Sequence, residues 1–205
     1  MRSDSDIRPG FKDPVHESQS IFRKVLRAMS RPGTLARLEE APIPPEPFNQ
    51  ACLALLLALA DMDTPIWMAH PQPWEQARSF LGFHCGAVLT KRADQAVFAV
   101  IPEGSHLPDL DGLSRGRPDR PDTAATLIVQ VRDLRPDGPG MQLSGPGIQG
   151  TRTLACRGLD PRFFTLMAAN VQLYPLGLDC ILTAGDRLVC LPRSVRVRPE
   201  EVPCT

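Results

Sequence analysis

Residues 49–69 read NQACLALLLALADMDTPIWMA, and this stretch decides the fold class. Asn49–Ala60 predicts a helix that is apolar on nearly every face. Residues 61–64 end that helix, and Pro65–Ala69 predicts a strand. A helix without a polar face must be covered on all sides. We therefore expect it to pack between a sheet and another layer or a partner protein.

Helices and strands alternate on both sides of this stretch. Asp13 and Pro14 predict the start of a helix that Pro32 and Gly33 end. The other predicted elements are strands at Thr34–Leu38, Ala87–Thr90, Ala96–Ile101, Ala125–Val131 and Met141–Ser144, and helices from about Pro73 to Phe83 and after Asp160-Pro161. The end of the chain, LDCILT-AGDR-LVCLP, predicts a hairpin turning at Gly185. The pattern predicts a three-layer α/β/α sandwich with a mixed sheet.

The length of 205 residues favours a single domain over the whole chain, residues 1–205. Residues 1–12 are expected to be flexible. Residues 102–123 are rich in Pro, Gly, Asp and Arg and are expected to form a mobile loop.

The composition indicates a soluble globular protein without a global electric field. Its 23 basic residues cancel its 23 acidic ones, so nothing attracts a polyanion such as nucleic acid over long range. The longest apolar run, Ala51–Ala60, is too short to span a bilayer, and the N-terminus lacks a secretory apolar region. Six cysteines without a C-x-x-C pair are typical of a reduced, cytoplasmic protein.

Residues 145–150 read GPGIQG and satisfy the G-x-G-x-x-G pattern of dinucleotide sites. That site needs a helix opening at the glycines, whereas residues 151–153 favour a strand and Pro146 lacks an N–H donor. A structural loop is therefore the favoured interpretation, and a dinucleotide site is the alternative.

Asp61 and Asp63 could form a carboxylate pair for metal or acid–base chemistry. Local hydrogen bonds that end the helix together with Thr64 explain them more simply. Carboxylates at a helix C-terminus are electrostatically unfavourable, which keeps the functional alternative open.

Histidine and lysine offer few candidates for catalysis. His84-Cys85 is the one adjacent His/Cys pair, and a metal site would need further ligands from elsewhere, so no metal site is predicted. Pyridoxal phosphate enzymes need a Schiff-base lysine in a pocket, but none of Lys12, Lys24 and Lys91 has a convincing position. Arg193, Arg196 and Arg198 alternate with valines, as on the exposed face of an edge strand.

Several blocks of the sequence, taken in order, resemble the PhnH family, the H subunit of the bacterial carbon–phosphorus lyase system. They are FRKVLRAMSRPG (22–33), LADMDTPIW (59–67), FH (83–84), AVFAV (96–100), ATLI (125–128), LSGPGI (143–148) and the stretch from PLGLD (175–179) to Pro192-Arg193. The resemblance covers residues 14 to 198.

The resemblance implies a cytoplasmic protein that is a homodimer in isolation and joins the G, I and J subunits, with L and K associating. Together with G, I and L it would form alpha-D-ribose 1-methylphosphonate 5-triphosphate from ATP and methylphosphonate. The implied fold is similar to that of pyridoxal-phosphate transferases but lacks the cofactor lysine. This chain would bind no cofactor alone, since the complex uses the ATP, and it would have no catalytic activity alone.

No catalytic residue follows from the resemblance, but polar and glycine positions match the family's motifs. These ligand or interface candidates are Arg23, Ser30, Asp61, Asp63, Thr64, His84, Gly145, Gly147, Asp179 and Arg193. Two alternatives to the subunit role stay open. One is an independent enzyme that uses Lys91 or residues 145–150. The other is a stand-alone homodimer that binds a phosphorylated small molecule through arginines such as Arg23 and Arg193.

Overall fold

The computed structural model describes residues 8–39, 41–69, 74–138 and 140–200, and two β-sheets organise them. The strands are β1 (Ala36–Arg37), β2 (Ile66–Met68), β3 (Phe98–Ile101), β4 (Thr126–Gln130), β5 (Asp133–Arg135), β6 (Met141–Ser144), β7 (Arg152–Arg157), β8 (Asp179–Ala184), β9 (Arg187–Leu191) and β10 (Arg196–Pro199). The central sheet has six strands in the order β1-β9-β8-β4-β3-β2. Strands β2, β3, β4 and β8 run parallel to one another, and β9 runs antiparallel to both of its neighbours, β8 and β1, so the predicted mixed sheet is confirmed.

Alternate residues of the central strands face two separate hydrophobic cores. In β4, Ile128 packs with the helices on one face, while Leu127 and Val129 pack on the other face. Because both faces are covered, β3 and β8 are apolar at nearly every position.

Three helices cover the first face: α1 (Pro14–Ser30), α2 (Gln50–Leu59) and α3 (Glu75–Cys85). Helix α2 lies between α1 and α3 and also contacts β8 and β9. Its residues 51–57 are all buried, which confirms that a helix without a polar face is covered on all sides. The cap of α1 is also confirmed, since Asp13 accepts a hydrogen bond from the His16 N–H.

The second face differs from the predicted helical layer. A four-stranded sheet in the order β10-β6-β7-β5 covers it, together with the single helix α4 (Arg162–Val171), which packs against β10. Met141 and Leu143 alternate with polar residues in β6, so one side of this sheet is buried and the other is exposed. The α/β/α expectation is therefore wrong for this layer, because the chain between β4 and β8 forms three short strands, β5, β6 and β7, before the helix α4.

The local predictions have different outcomes. Residues 87–90 form only an isolated bridge between Leu89 and Ile66 instead of a strand. Residues 102–123 contain two short 3-10 turns, and Leu107 and Leu113 are buried in the second core. The mobility of this loop stays a prediction. The predicted hairpin at Gly185 is confirmed by the antiparallel pairing of β8 with β9. The predicted edge position of Arg196 and Arg198 is confirmed by β10, whereas Arg193 lies before that strand.

Candidate functional site

Most of the predicted site residues lie along the edge of the central sheet at which its parallel strands begin, here called the amino edge. The register aligns the first residues of these strands, because Ile66 pairs with Phe98, Phe98 with Thr126, and Thr126 with Asp179. The end of β9 reaches the same edge, since Leu191 lies opposite Cys180. The candidates therefore share one edge, and they form separate groups along it.

Asp179 and Arg193 form an ion pair at the junction of β8 and β9. The guanidinium Nη2 lies 2.6 Å from Asp179 Oδ2, and Nε lies 3.2 Å from Oδ1. The backbone N–H of Arg193 also donates to Oδ1, at 2.9 Å. The side chains are only 15% and 27% exposed, so the pair is much better shielded than a typical surface ion pair.

The remaining donors of Arg193 hold two loops against this junction. Its Nη1 donates to the carbonyl of Pro121 at 2.8 Å and to that of Pro175 at 3.4 Å. The backbone N–H of Gly177 donates to the Arg115 carbonyl nearby. With its guanidinium occupied in this way, Arg193 braces the loop of residues 102–123 rather than presenting a free cation to a ligand.

Gly145 and Gly147 are required by close contacts with neighbouring backbone. A Cβ at Gly147 would lie 2.6 Å from the Ser30 carbonyl oxygen and 2.8 Å from Pro32 Cδ, and its φ is +80°. A Cβ at Gly145 would lie 3.0 Å from the Ser194 carbonyl oxygen. The structure thus brings Ser30 and the glycine loop together, through backbone packing.

The glycine loop does not have the geometry of a dinucleotide site. Residues 151–157 continue into strand β7 instead of a helix, so no helix N-terminus faces the glycines. The dinucleotide alternative is therefore wrong, and the structural-loop interpretation is confirmed.

Asp61, Asp63 and Thr64 form a compact turn after α2. Thr64 Oγ1 accepts a hydrogen bond from the Asp61 N–H at 2.6 Å, and Asp61 Oδ1 accepts one from the Asp63 N–H at 2.9 Å. Both carboxylates are exposed. The simpler interpretation, local bonding that ends the helix, is confirmed.

His84 joins α3 to the beginning of the described chain. Its Nε2 lies 2.9 Å from the Arg8 carbonyl oxygen, and its ring packs against Phe80 and Phe83. A Cβ at Gly10 would lie 2.7 Å from His84 Nδ1, so the backbone of Gly10 passes directly over the ring. His84 is half-buried and serves as the docking point for residues 8–10.

Arg23 lies away from the amino edge, on the outer surface of α1. It lines a shallow groove of about 260 Å³ together with His16, Gln19, Ser20, Lys24 and Arg27. All six residues belong to one helix, so the groove has a single wall and is open to solvent. It presents several cations at helical spacing.

The titratable groups give little support for nucleophilic or metal chemistry. Burial raises the pKa of the Cys190 thiol to about 12, and burial with the charge of Asp133 nearby raises the pKa of Cys156 to about 12. Among the described residues, no three His, Cys, Asp or Glu side chains come together as metal ligands. Lys91 is exposed at the surface rather than in a pocket, which argues against the Schiff-base alternative.

Sequence reasoning missed a buried polar cluster at the opposite edge of the sheet. The Asn49 N–H donates to Gln130 Oε1 at 2.5 Å, and its side-chain amide donates to Thr183 Oγ1 at 3.1 Å. Gln130 and Thr183 are 3% and 0% exposed, and Gln130 donates back to the Pro47 carbonyl. The one sign of this cluster in the sequence is Asn49, a residue type that is common at the N-cap of a helix. The hydrogen-bond partners of Asn49 are distant in the sequence and are evident only from the tertiary structure.

Fold and site together define a two-sheet α/β protein whose motif residues mainly brace loops at one edge of its central sheet. The chain belongs to the PhnH family: the family model described as bacterial phosphonate metabolism protein (PhnH) matches residues 9–198.

Two relatives are similar over most of their length. The first is the alpha-D-ribose 1-methylphosphonate 5-triphosphate synthase subunit PhnH of Rhizobium meliloti (strain 1021), which is 37% identical over 201 residues, 98% of this chain and 100% of that protein. The second is the putative C-P lyase subunit protein HtxG of Stutzerimonas stutzeri, 30% identical over 181 residues, 87% of this chain and 85% of that protein. No helix among the described residues is long and apolar enough to cross a membrane.

Proposed function

We propose that this chain is the H subunit of a cytoplasmic carbon–phosphorus lyase complex that catabolises organic phosphonates. In this role it acts with the G, I and L subunits to form alpha-D-ribose 1-methylphosphonate 5-triphosphate from ATP and methylphosphonate. The observation that carries the proposal is the 37% identity to a synthase subunit over the full length of that relative.

The site geometry supports a role within an assembly rather than catalysis by the chain alone. Arg193, Gly147 and the turn at Asp61 are engaged by neighbouring backbone and side chains. We expect the reacting groups to be completed by other subunits, with ATP bound by the complex. The proposal includes a fold that is similar to that of pyridoxal-phosphate transferases but lacks the cofactor lysine. Such a chain keeps the scaffold of these enzymes and lacks the residue that their chemistry needs.

A growth experiment tests the role. Deletion of the gene is expected to abolish growth with methylphosphonate as the sole phosphorus source, and a plasmid copy is expected to restore it. Growth on inorganic phosphate serves as the control for general fitness. Unimpaired growth of the deletion strain on methylphosphonate would contradict the proposal.

Co-purification tests the partners. A tagged chain co-expressed with the G, I and J subunits is expected to elute with them in a fixed ratio, and the same chain expressed alone is expected to elute as a homodimer. Elution as a lone dimer in the presence of all partners would instead favour a stand-alone binder of a phosphorylated small molecule. Calorimetry of that dimer with ATP and with methylphosphonate would then identify the ligand.

A further inference from the structure

Helix α1 carries an apolar stripe on its exposed surface in addition to its buried face. Ile21, Val25 and Ala28 face the core. Val15, Phe22 and Leu26 lie on a different face, with exposed fractions of 75%, 47% and 52%. These positions are seven and four residues apart, so they form one continuous line along the helix.

A row of cations runs beside this stripe. Arg23 and Arg27 are one turn apart, and neither has a carboxylate partner among the described residues. Among the described residues, nine of the other seventeen arginines are paired with carboxylates: Arg92, Arg115, Arg117, Arg120, Arg132, Arg135, Arg162, Arg187 and Arg193. Residues 18–38 also contain five basic residues and no acidic one. Arg23 and Arg27, which have no carboxylate partner in the part of the chain that the structure describes, thus lie beside exposed apolar side chains in a protein of zero net charge.

The charge indicates what kind of occupant fits this surface. A second copy of the same surface would bring cations against cations, which disfavours a symmetric pairing of two α1 helices. A small anion would be held poorly, because the groove beside Arg23 has one wall and ligand pockets enclose most of their ligand. A protein surface with carboxylates next to an apolar groove would match both the arginines and the stripe.

We infer that the outer face of α1, formed by Val15, Phe22, Arg23, Leu26 and Arg27, docks against an acidic and partly apolar surface of a different subunit. Phe22 and Leu26 would supply the buried contact, and the two arginines would pair with carboxylates and set the orientation. This inference rests on the proposed function, since it requires an assembly. It adds the surface of this chain that makes the contact.

Charge reversal at this face tests the inference. The double variant Arg23→Glu/Arg27→Glu, co-expressed with the G, I and J subunits, is expected to be retained by the tagged partners at least about tenfold less than the wild type. Retention of the wild type is expected to fall as salt is raised, because salt screens exposed charges. The variant Phe22→Ser/Leu26→Ser is expected to weaken retention without any change in charge.

The matched control is Arg196→Glu/Arg198→Glu on β10. Both arginines are exposed and lack a carboxylate partner among the described residues. Because two arginines are again replaced by glutamates, the net charge changes by the same amount as in the double variant of α1. The control is expected to stay within about twofold of the wild type, because exposed charges far from an interface affect binding little. All variants are expected to keep a single cooperative urea transition with the wild-type slope, which excludes misfolding as the cause of lost binding.

The outcomes separate the two proposals. If the wild type binds the partners and the α1 variants bind them equally well, the docking surface is wrong and the subunit role stands. Equal losses in the α1 variants and the β10 control would also overturn the docking surface, because the effect would then be one of net charge. If the wild type binds none of the subunits, both proposals are wrong. If the α1 variants keep their partners but lose calorimetric binding of ATP, the face is a small-anion site, and the inference is overturned.

Discussion

Arg193 is a charged side chain whose donors are largely used by the fold. It reaches Pro121 in one part of the chain and Pro175 and Asp179 in another. Removing its side chain would leave the poorly exposed Asp179 carboxylate without its charged partner, with only the backbone N–H of residue 193 as a donor, and would take one donor from each of the two carbonyls.

Arg193→Ala is therefore expected to lower the free energy of unfolding by about 2 kcal/mol or more. Arg117→Ala is the matched control, because Arg117 pairs with Asp119 while both side chains are at least 65% exposed. We expect the control to cost less than about 1 kcal/mol. Urea unfolding monitored by circular dichroism measures both values, and equal costs would contradict the bracing role of Arg193.

Ionisation of the Asp133 carboxyl makes the stability of the fold depend on pH. Desolvation alone would raise the pKa of its carboxyl, but hydrogen bonds from Arg135 and Arg187 and their charges outweigh it, so the pKa is lowered below its usual 3.8. A carboxylate with a lowered pKa stabilises the folded state above its unfolded pKa, and this contribution is lost as the pH falls through the folded pKa.

The wild type is therefore expected to be more stable than Asp133→Asn at pH 7, and the difference is expected to shrink as the pH falls below about 4. Thermal unfolding of both proteins between pH 7 and pH 3 measures this. A difference that stays constant over that range would contradict a role for the carboxylate charge.

At the scale of elements, the glycine loop after β6 shows that a motif pattern and its structural use can differ. Residues 145–150 match a nucleotide-binding pattern, yet they lead into β7 and pack against the end of α1. The close approach at Gly147 leaves no room for a side chain.

Gly147→Ala and Gly150→Ala separate two effects of a side chain in this loop. Both glycines have positive φ, +80° and +71°, but a Cβ at Gly150 would meet nothing within 4 Å. Gly150→Ala is expected to cost about 1 kcal/mol from backbone strain alone, and Gly147→Ala is expected to cost at least about 2 kcal/mol, because it also collides with Ser30. Chemical denaturation gives both values. Equal costs would mean that the loop yields to the added methyl group.

The elements that the sequence predicted well have strong local signals. Helix α1 has a cap and an apolar period, β6 matches its predicted bounds, and the β8–β9 hairpin has a glycine turn between two apolar runs. Strand β5 was not predicted, because it has only three residues, and β7 was predicted only from the strand tendency of residues 151–153, because it has few apolar residues. Their pairing with each other and with β6 depends on contacts between distant parts of the chain.

At the scale of the whole molecule, the two hydrophobic cores share the strands of one sheet. Trp74 packs against the core on the helical face, and Trp67 packs against the core on the opposite face. A strand that contributes side chains to both cores cannot unfold on one face alone.

We therefore expect a single cooperative unfolding transition, in agreement with the prediction of one domain. The variants Trp67→Phe and Trp74→Phe each keep one tryptophan, whose fluorescence reports on one core. In each variant, the urea midpoint from fluorescence is expected to coincide with the urea midpoint from circular dichroism. Adding Leu143→Ala in the second core is expected to lower both midpoints. Separate transitions at the two tryptophans would show that the cores unfold independently.

Local sequence signals were sufficient to predict the α/β class, the buried helix α2 and the hairpin, and the ordered motif blocks were sufficient to predict the family. These features depend on local periodicity, capping and turn chemistry, which neighbouring residues encode. Only contacts between distant segments show that a second sheet covers one face and that Arg193 is occupied by Asp179 and two loops. The same holds for Arg23 and Arg27, which have no carboxylate partner among the described residues and lie beside an apolar stripe. These features depend on which distant segments come into contact. The sequence does not show whether a charged side chain has an oppositely charged partner within hydrogen-bonding distance.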